Sequence, residues 1–195
     1  MIEKIKNTAA SFLKQIENSG VQIVSHFDTD GITSASIITK ALKKKDVRFN
    51  LRILKQLEKS SLLELKKMPT LFLDLGSGSL KEISSHLPYS LILDHHEIPS
   101  DIPENISLIN PHLFSNEPIS SAGISYLFAK EIVGKDKELA TLAVIGMIGD
   151  MLDQEVSRLN KQILDDSEAT IKRGLLLYPS TRPVNKALEY SSNIF

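Results

Sequence analysis

Two nearly continuous apolar runs, Thr70-Leu71-Phe72-Leu73-Asp74-Leu75 and Ser90-Leu91-Ile92-Leu93-Asp94, constrain the fold of this chain more than any other feature. Runs this short and this apolar read as strands covered on both faces. Helical segments separate the strand candidates, so the strands run parallel and the helices supply the cover. Val21 to His26 reads as a further strand, Val47 to Ile53 alternates as another, and Ile106 to Ile109 is a weaker one before Asn110-Pro111. Ile2, Ile5, Ala9, Phe12, Leu13 and Ile16 recur at three- and four-residue steps, which predicts an amphipathic helix over 2–18, stopped near Gly20. Helical patterns follow over 32–45, 57–68, about 120–133, 136–152 and 155–173, and a short one over 184–190. The expected fold is α/β: a doubly wound, mainly parallel sheet flanked by helices, with a helical C-terminal part. One domain over 1–174 accounts for the pattern, with 175–195 as a connector.

Composition removes several function classes. The 195 residues include no cysteine, which excludes disulfide scaffolds, thiolate metal sites and cysteine nucleophiles. With 42% hydrophobic residues the chain has enough for a core, so global disorder is excluded. No apolar run approaches the roughly 18 residues of a membrane span, and the N-terminus lacks a signal-peptide core, so a cytoplasmic location is expected. Residues 1–67 carry 13 basic and 7 acidic side chains, whereas 69–168 carry 6 and 16. An acidic middle beside basic flanks suits carboxylates gathered around cations next to a surface for a polyanion. Solvated helix faces explain the same balance.

In open parallel sheets, ligands bind beyond the C-terminal ends of the strands. Here the first strand ends in His26-Phe27-Asp28-Thr29-Asp30-Gly31, another in Asp74, and the next in Asp94-His95-His96. Asp and Gly are ordinary turn formers, so the first group reads equally as a turn. It is not a calcium loop: the sixth and twelfth positions would be Thr33 and Thr39. Asp74 closes an apolar run, where an unpaired carboxylate is costly; either a cation or capping donors must face it. Adjacent imidazoles after Asp94 suit a borderline cation, and a nearby carboxylate fixes an imidazole's tautomer. Alternatively one histidine is exposed and the other caps a helix.

Weaker signals accompany these. Gly76-Ser77-Gly78-Ser79 leads into a helix and offers backbone N–H groups to a phosphate, though it is no Walker motif. Ser120-Ser121-Ala122-Gly123 reads as a helix N-cap where an anion could dock. Asp150 interrupts an apolar helix and should face something polar or cationic. His86 and His112 lack a motif and default to surface or hydrogen-bonded positions. No G-x-S-x-G occurs, which disfavours an α/β-hydrolase esterase.

Ser25-His26-Phe27-Asp28-Thr29-Asp30-Gly31, Asp74, Asp94-His95-His96 and Gly149-Asp150 resemble, in order and spacing, the four motifs of the DHH phosphoesterase superfamily. The resemblance spans about residues 21–155. Within the superfamily the chain is most similar to RecJ-like exonucleases, the archaeal ones in particular, through Ile109-Asn110-Pro111, Ser120 to Gly123 and Thr181-Arg182-Pro183.

The resemblance implies a metal-dependent phosphodiesterase hydrolysing single-stranded DNA or RNA with two divalent ions, manganese first and magnesium second. It places one ion on His26, Asp28 and Asp74, and the other on Asp30, Asp74, His95 and Asp150, with Asp74 bridging. Asp94 would orient His95 from behind, and His96 would contact the scissile phosphate, so Asp74 and His96 carry the catalysis. It also implies a C-terminal substrate-binding domain, missing or on another chain, and replication or repair proteins as candidate partners. Lys40, Lys43, Lys44, Lys45, Arg48, Arg52 and Lys55 offer basic surface to the backbone, and 6% aromatics with no tryptophan argue against base stacking. Two alternatives remain: hydrolysis of small substrates such as pyrophosphate, short oligonucleotides or cyclic dinucleotides, and a scaffold of a replication complex.

Overall fold

The computed structural model describes residues 1–114, 117–152, 156–172 and 183–189. Five strands form one sheet: β1 (Val21–His26), β2 (Phe49–Leu54), β3 (Thr70–Leu73), β4 (Ser90–Leu93) and β5 (Ile106–Ile109). All neighbours pair in parallel, in the spatial order β2-β1-β3-β4-β5. That order reverses direction between β1 and β3, and the strand ends at such a switch point leave a crevice. His26 ends β1 and Asp74 directly follows β3, so the sheet's topology places both at its mouth.

Alternate strand residues point to opposite faces, and each face has its own core. Val21, Ile23, Leu71, Leu73, Leu91 and Leu93 bury on one face. Helices α1 (Ile2–Ile16), α2 (Thr29–Lys44) and α5 (Ser121–Val133) cover it, with α6 (Lys137–Gly149) and α7 (Arg158–Ser167) packed behind. Val24, Phe72, Ile92 and Leu108 bury on the other face, beneath α3 (Lys59–Leu63) and α4 (Leu80–His86). The expected periodicity of α1 appears as its buried row Ile5, Ala9, Phe12 and Ile16, and Phe12 meets Phe128 of α5 edge to face with centroids 5.8 Å apart. Among the described residues no helix is long and apolar enough to cross a membrane.

Several boundaries differ from the sequence reading, each for an identifiable physical reason. Helix α2 begins at Thr29, three residues earlier than expected, because Asp28 Oδ1 accepts the Gly31 N–H at 2.9 Å and caps it. Helix α3 stops at Leu63: Leu65 is drawn into the core and the Lys66 N–H donates to the Gln22 side chain on β1. Helix α6 ends at Gly149, so Asp150 is its C-cap and interrupts no helix. Helix α7 starts where Ser157 Oγ accepts the Asn160 N–H and ends where Glu168 turns left-handed, at φ 54°. A further helix, α8, spans Val184–Glu189; of the connector read over 175–195, only 183–189 lies within the described residues.

Candidate metal centre

His26, Asp28, Asp30, Asp74, His95 and Asp150 converge at the C-terminal edge of the sheet, as two groups that meet at Asp74. In the first, His26 Nδ1 lies 2.8 Å from Asp28 Oδ2 and 3.3 Å from Asp74 Oδ2. In the second, His95 Nε2 lies 3.4 Å from Asp74 Oδ1, 3.5 Å from Asp150 Oδ2 and 4.0 Å from Asp30 Oδ2. Each oxygen of Asp74 therefore faces a different group. The backbone at Asp74 makes this possible, since its φ of 59° is left-handed, a conformation that Asp tolerates better than most residues and that often accompanies functional sites.

Helix α2 carries Asp30 into the second group, and close packing fixes it there. A Cβ on Gly31 would sit 2.3 Å from the His26 carbonyl oxygen, so only glycine lets α2 start this near β1. The Asp30 carboxylate is buried and accepts the N–H groups of Ser121 at 2.7 Å and Ala122 at 2.9 Å. The anion docked at the Ser120–Gly123 helix start is thus the chain's own Asp30, held by orphan N–H groups and the helix dipole. Asp150 arrives at the end of α6, which approaches α2 through Gly146. A Cβ there would lie 2.5 Å from Ala122 Cβ and 2.7 Å from Asp30 Oδ1.

The electrostatics of this cluster favour a bound cation. Burial, then the charges of Asp74 and Asp150, push the Asp30 carboxyl well above the ordinary range, against the helix N–H donors. Asp150 is raised by burial and by Asp74. Burial alone would lower His95, but the adjacent Asp74 carboxylate and the charges of Asp30 and Asp150 push it up to about 9. Asp74 Oδ1 and Asp150 Oδ2 are buried and have no hydrogen-bond partner among the described residues. Four carboxylates this close repel one another unless cationic charge sits among them.

The histidine tautomers point the same way. His26 Nε2 donates to the Lys55 carbonyl oxygen at 3.1 Å, which leaves Nδ1 as the nitrogen turned toward Asp28 and Asp74. A ring nitrogen bonded to a backbone carbonyl while the other faces carboxylates is the usual arrangement around a metal. Oxygen and imidazole donors without thiolate suit manganese or magnesium. The residues present fit divalent metal ions.

Asp94 departs from the sequence reading. Its Oδ1 accepts the His96 Nδ1–H at 2.7 Å and the His95 backbone N–H at 2.8 Å. It therefore orients the ring of His96 and holds His95 only through the main chain, because the His95 ring turns the other way, toward Asp74. Burial opposes the charge of Asp94, but His96 and the Ser77 N–H outweigh it and hold the carboxyl at about 2. The Ser77 N–H, 2.9 Å from Asp94 Oδ2, is spent inside the protein, so the phosphate cradle read in Gly76 to Ser79 loses that donor.

Asn110 completes this layer, and the sequence reading passed over its role. Fully buried, it donates to the His96 carbonyl at 2.8 Å and to Ser77 Oγ at 3.1 Å. Its signal was an amide directly after an apolar strand. The basic segment is also split. Lys40 pairs with Glu138, Lys44 with Asp136 and Arg52 with Glu64. Helix α2 runs 16 residues, about 24 Å, away from the site, so its terminal lysines lie at the opposite edge of the sheet. Of the seven, Lys55 lines the cleft of about 540 Å³ beside His26, Asp74 and His96. His86 bonds to the Leu65 carbonyl, and the His112 N–H donates to Asn110, both away from the cluster.

Comparison with known proteins decides the family: a profile of the DHH family, N-terminal domain, matches residues 20–147. The chain belongs to the DHH family. It is 35% identical over 184 residues to an uncharacterized protein of Methanocaldococcus jannaschii, covering 86% of this chain and 42% of that one. The single-stranded-DNA-specific exonuclease RecJ of Bacillus subtilis is 23% identical over 163 residues, covering 74% and 21%. The crystal structure of an exonuclease RecJ bound to manganese superposes with a TM-score of 0.69 at 18% identity, covering 84% and 47%. The fold is that of the RecJ-like DHH domain, and this DHH chain spans less than half the length of each of these relatives.

Proposed function

We propose that this chain is a divalent-metal-dependent phosphodiesterase that cleaves single-stranded nucleic acid as an exonuclease, with residues 1–174 as its DHH domain. The observation that carries the reading is Asp74, whose two oxygens face two separate donor groups. His26, Asp28 and Asp74 would hold one ion, and Asp30, Asp74, His95 and Asp150 the other. When bound, such a pair supplies charge neutralisation to the phosphoryl oxygens and a lowered pKa to water.

The chain's own residues prepare the remaining steps. His96 keeps a proton at Nδ1 for Asp94, and its hydrogen bond to that carboxylate raises the imidazole's pKa above the ordinary value. Its Nε2–H is then available to a non-bridging phosphate oxygen, where it stabilises charge that grows as the phosphoryl group transfers. Asn110 and Ser77 fix the loop that carries it. His95 must yield its proton before its Nε2 can ligate. Residues 175–195 would then connect to a substrate-binding domain, and replication or repair proteins would be the partners.

The test is hydrolysis of end-labelled single and double strands in manganese, magnesium or EDTA. Release of mononucleotides from single strands, abolished by EDTA, is expected. Equal inactivity in all three, with purified folded protein, contradicts the proposal.

A further inference from the structure

We infer that the cavity beside His96, between the loop that follows β4 and the turn that follows β5, is a nucleoside subsite that favours bases bearing amino groups. The inference rests on the phosphodiesterase reading and deepens it by naming the part of the substrate that is read. The cavity measures about 610 Å³ and lies among Glu97, Ile98, Asp101 and Ile102 of the loop and His112 and Leu113 of the turn. Glu97 also lines the cleft shared by His26, Asp74 and His96, so the two hollows adjoin at the residue next to the proposed phosphate contact. Asn110 fixes both walls at once. Its side-chain N–H donates to the His96 carbonyl at 2.8 Å, and its side-chain oxygen accepts the His112 N–H at 3.0 Å.

Size and chemistry select the occupant. Pockets of roughly 300–1,000 Å³ hold small molecules, and a nucleoside is of that class. Among the described residues lining the cavity there is no lysine or arginine, and Glu97 and Asp101 form no ion pair there. A phosphate would meet two carboxylates, so the phosphate stays at the donor cluster and the uncharged sugar and base reach into the cavity. Ile98, Ile102 and Leu113 give the base an aliphatic wall; Ile102 and Leu113 are 38% and 42% exposed, apolar area that a base would cover. An ionised carboxylate only accepts hydrogen bonds, and Glu and Asp read bases through their amino groups. Guanine offers a ring N–H and an amino group on one edge, whereas thymine has no amino group at all.

The test measures manganese-dependent hydrolysis of the deoxydinucleoside monophosphates TpT, GpT and TpG by the wild-type chain and by E97A/D101A. Guanine at one of the two positions should lower KM about tenfold against thymine, the scale of one hydrogen bond to a charged group. E97A/D101A should lose that ratio. The ratio is the readout because removing two negative charges shifts every KM alike. Both carboxylates are exposed, so the substitutions leave the core intact, which thermal melts check. Equal KM for all three substrates, or a guanine preference that survives in E97A/D101A, overturns the inference.

Equilibrium binding of the 3′- and 5′-monophosphates of deoxyguanosine and thymidine in calcium, without turnover, gives an independent arm. One deoxyguanosine monophosphate should bind about tenfold more tightly than its thymidine counterpart, and E97A/D101A should equalise them. No preference, or no binding by the wild-type chain, overturns the subsite. So does calorimetry with magnesium that shows one metal site lost in E97A/D101A, which would assign the two carboxylates to a cation. Absence of hydrolysis of every dinucleotide defeats the phosphodiesterase reading alone, and the binding arm still decides the subsite.

Discussion

Raising the pH should tighten metal binding and weaken the metal-free fold over the same window, through His95. In the metal-free chain its imidazole is pushed up to about 9, so at pH 7 it is almost fully protonated and cannot ligate. Two pH units separate these values, which costs roughly a factor of 100 in apparent affinity at pH 7, or about 2.7 kcal/mol. Affinity should therefore climb about tenfold per unit from pH 7 and level off above pH 9. Asp30, whose carboxyl is also raised, shifts the dependence in the same direction. The sign for stability is opposite. A raised folded pKa contributes stability fully present below the unfolded value of about 6.5 and lost as pH rises through about 9, here about 3 kcal/mol. The assay is calorimetric titration with magnesium, or anaerobic manganese, at pH 6.5 to 9.5 in buffers of different ionisation enthalpy, with thermal melts of the metal-free chain alongside. His95→Gln should flatten both dependences. Affinity independent of pH, with no proton released at pH 7, would refute the coupling between His95 and its three carboxylates.

Asp74→Asn should reduce hydrolysis by about a thousandfold or more, yet raise the melting temperature of the metal-free chain by relieving like-charge repulsion; retained manganese-dependent activity would contradict its bridging role. Asn110→Ala leaves the His96 carbonyl and Ser77 Oγ without their donor and should cost about 1–3 kcal/mol, lowering kcat more than KM; steady-state kinetics and melts check both. Gly146→Ala forces contacts of 2.5–2.7 Å with Ala122, Thr33 and Asp30 and should cost about 1–3 kcal/mol by overpacking. It should also weaken metal binding as the Asp150 end of α6 moves off; an unchanged melt and affinity would count against that packing.

The parallel sheet was legible because continuous apolar runs such as Leu71 to Leu73 admit one reading, burial on both faces. The convergence of the strand-end residues followed from where a parallel sheet puts its ligands. What escaped depended on which way a side chain turns. Asp94 sits next to His95 in sequence, and only the loop geometry shows that its carboxylate takes the ring of His96. The helix start at Ser120 to Gly123 read as an N-cap where an anion could dock, and nothing local reveals that the anion is Asp30, 91 residues from Ser121. The basic segment looked uniform because charge counts ignore partners: Lys44 finds Asp136 at the far edge, whereas Lys55 lines the cleft. Boundaries of α3 and α6 moved for tertiary reasons, a side-chain acceptor on β1 in one and close packing against α2 in the other.

Anomalous scattering at the manganese edge, from crystals of the chain saturated with manganese near pH 8.5, tests the central claim most directly. Two peaks about 3.5–4 Å apart are predicted, one among His26, Asp28 and Asp74 and the other among Asp30, Asp74, His95 and Asp150, with one Asp74 oxygen on each. A single peak that leaves Asp74 uncoordinated, or peaks away from these six residues, would contradict it.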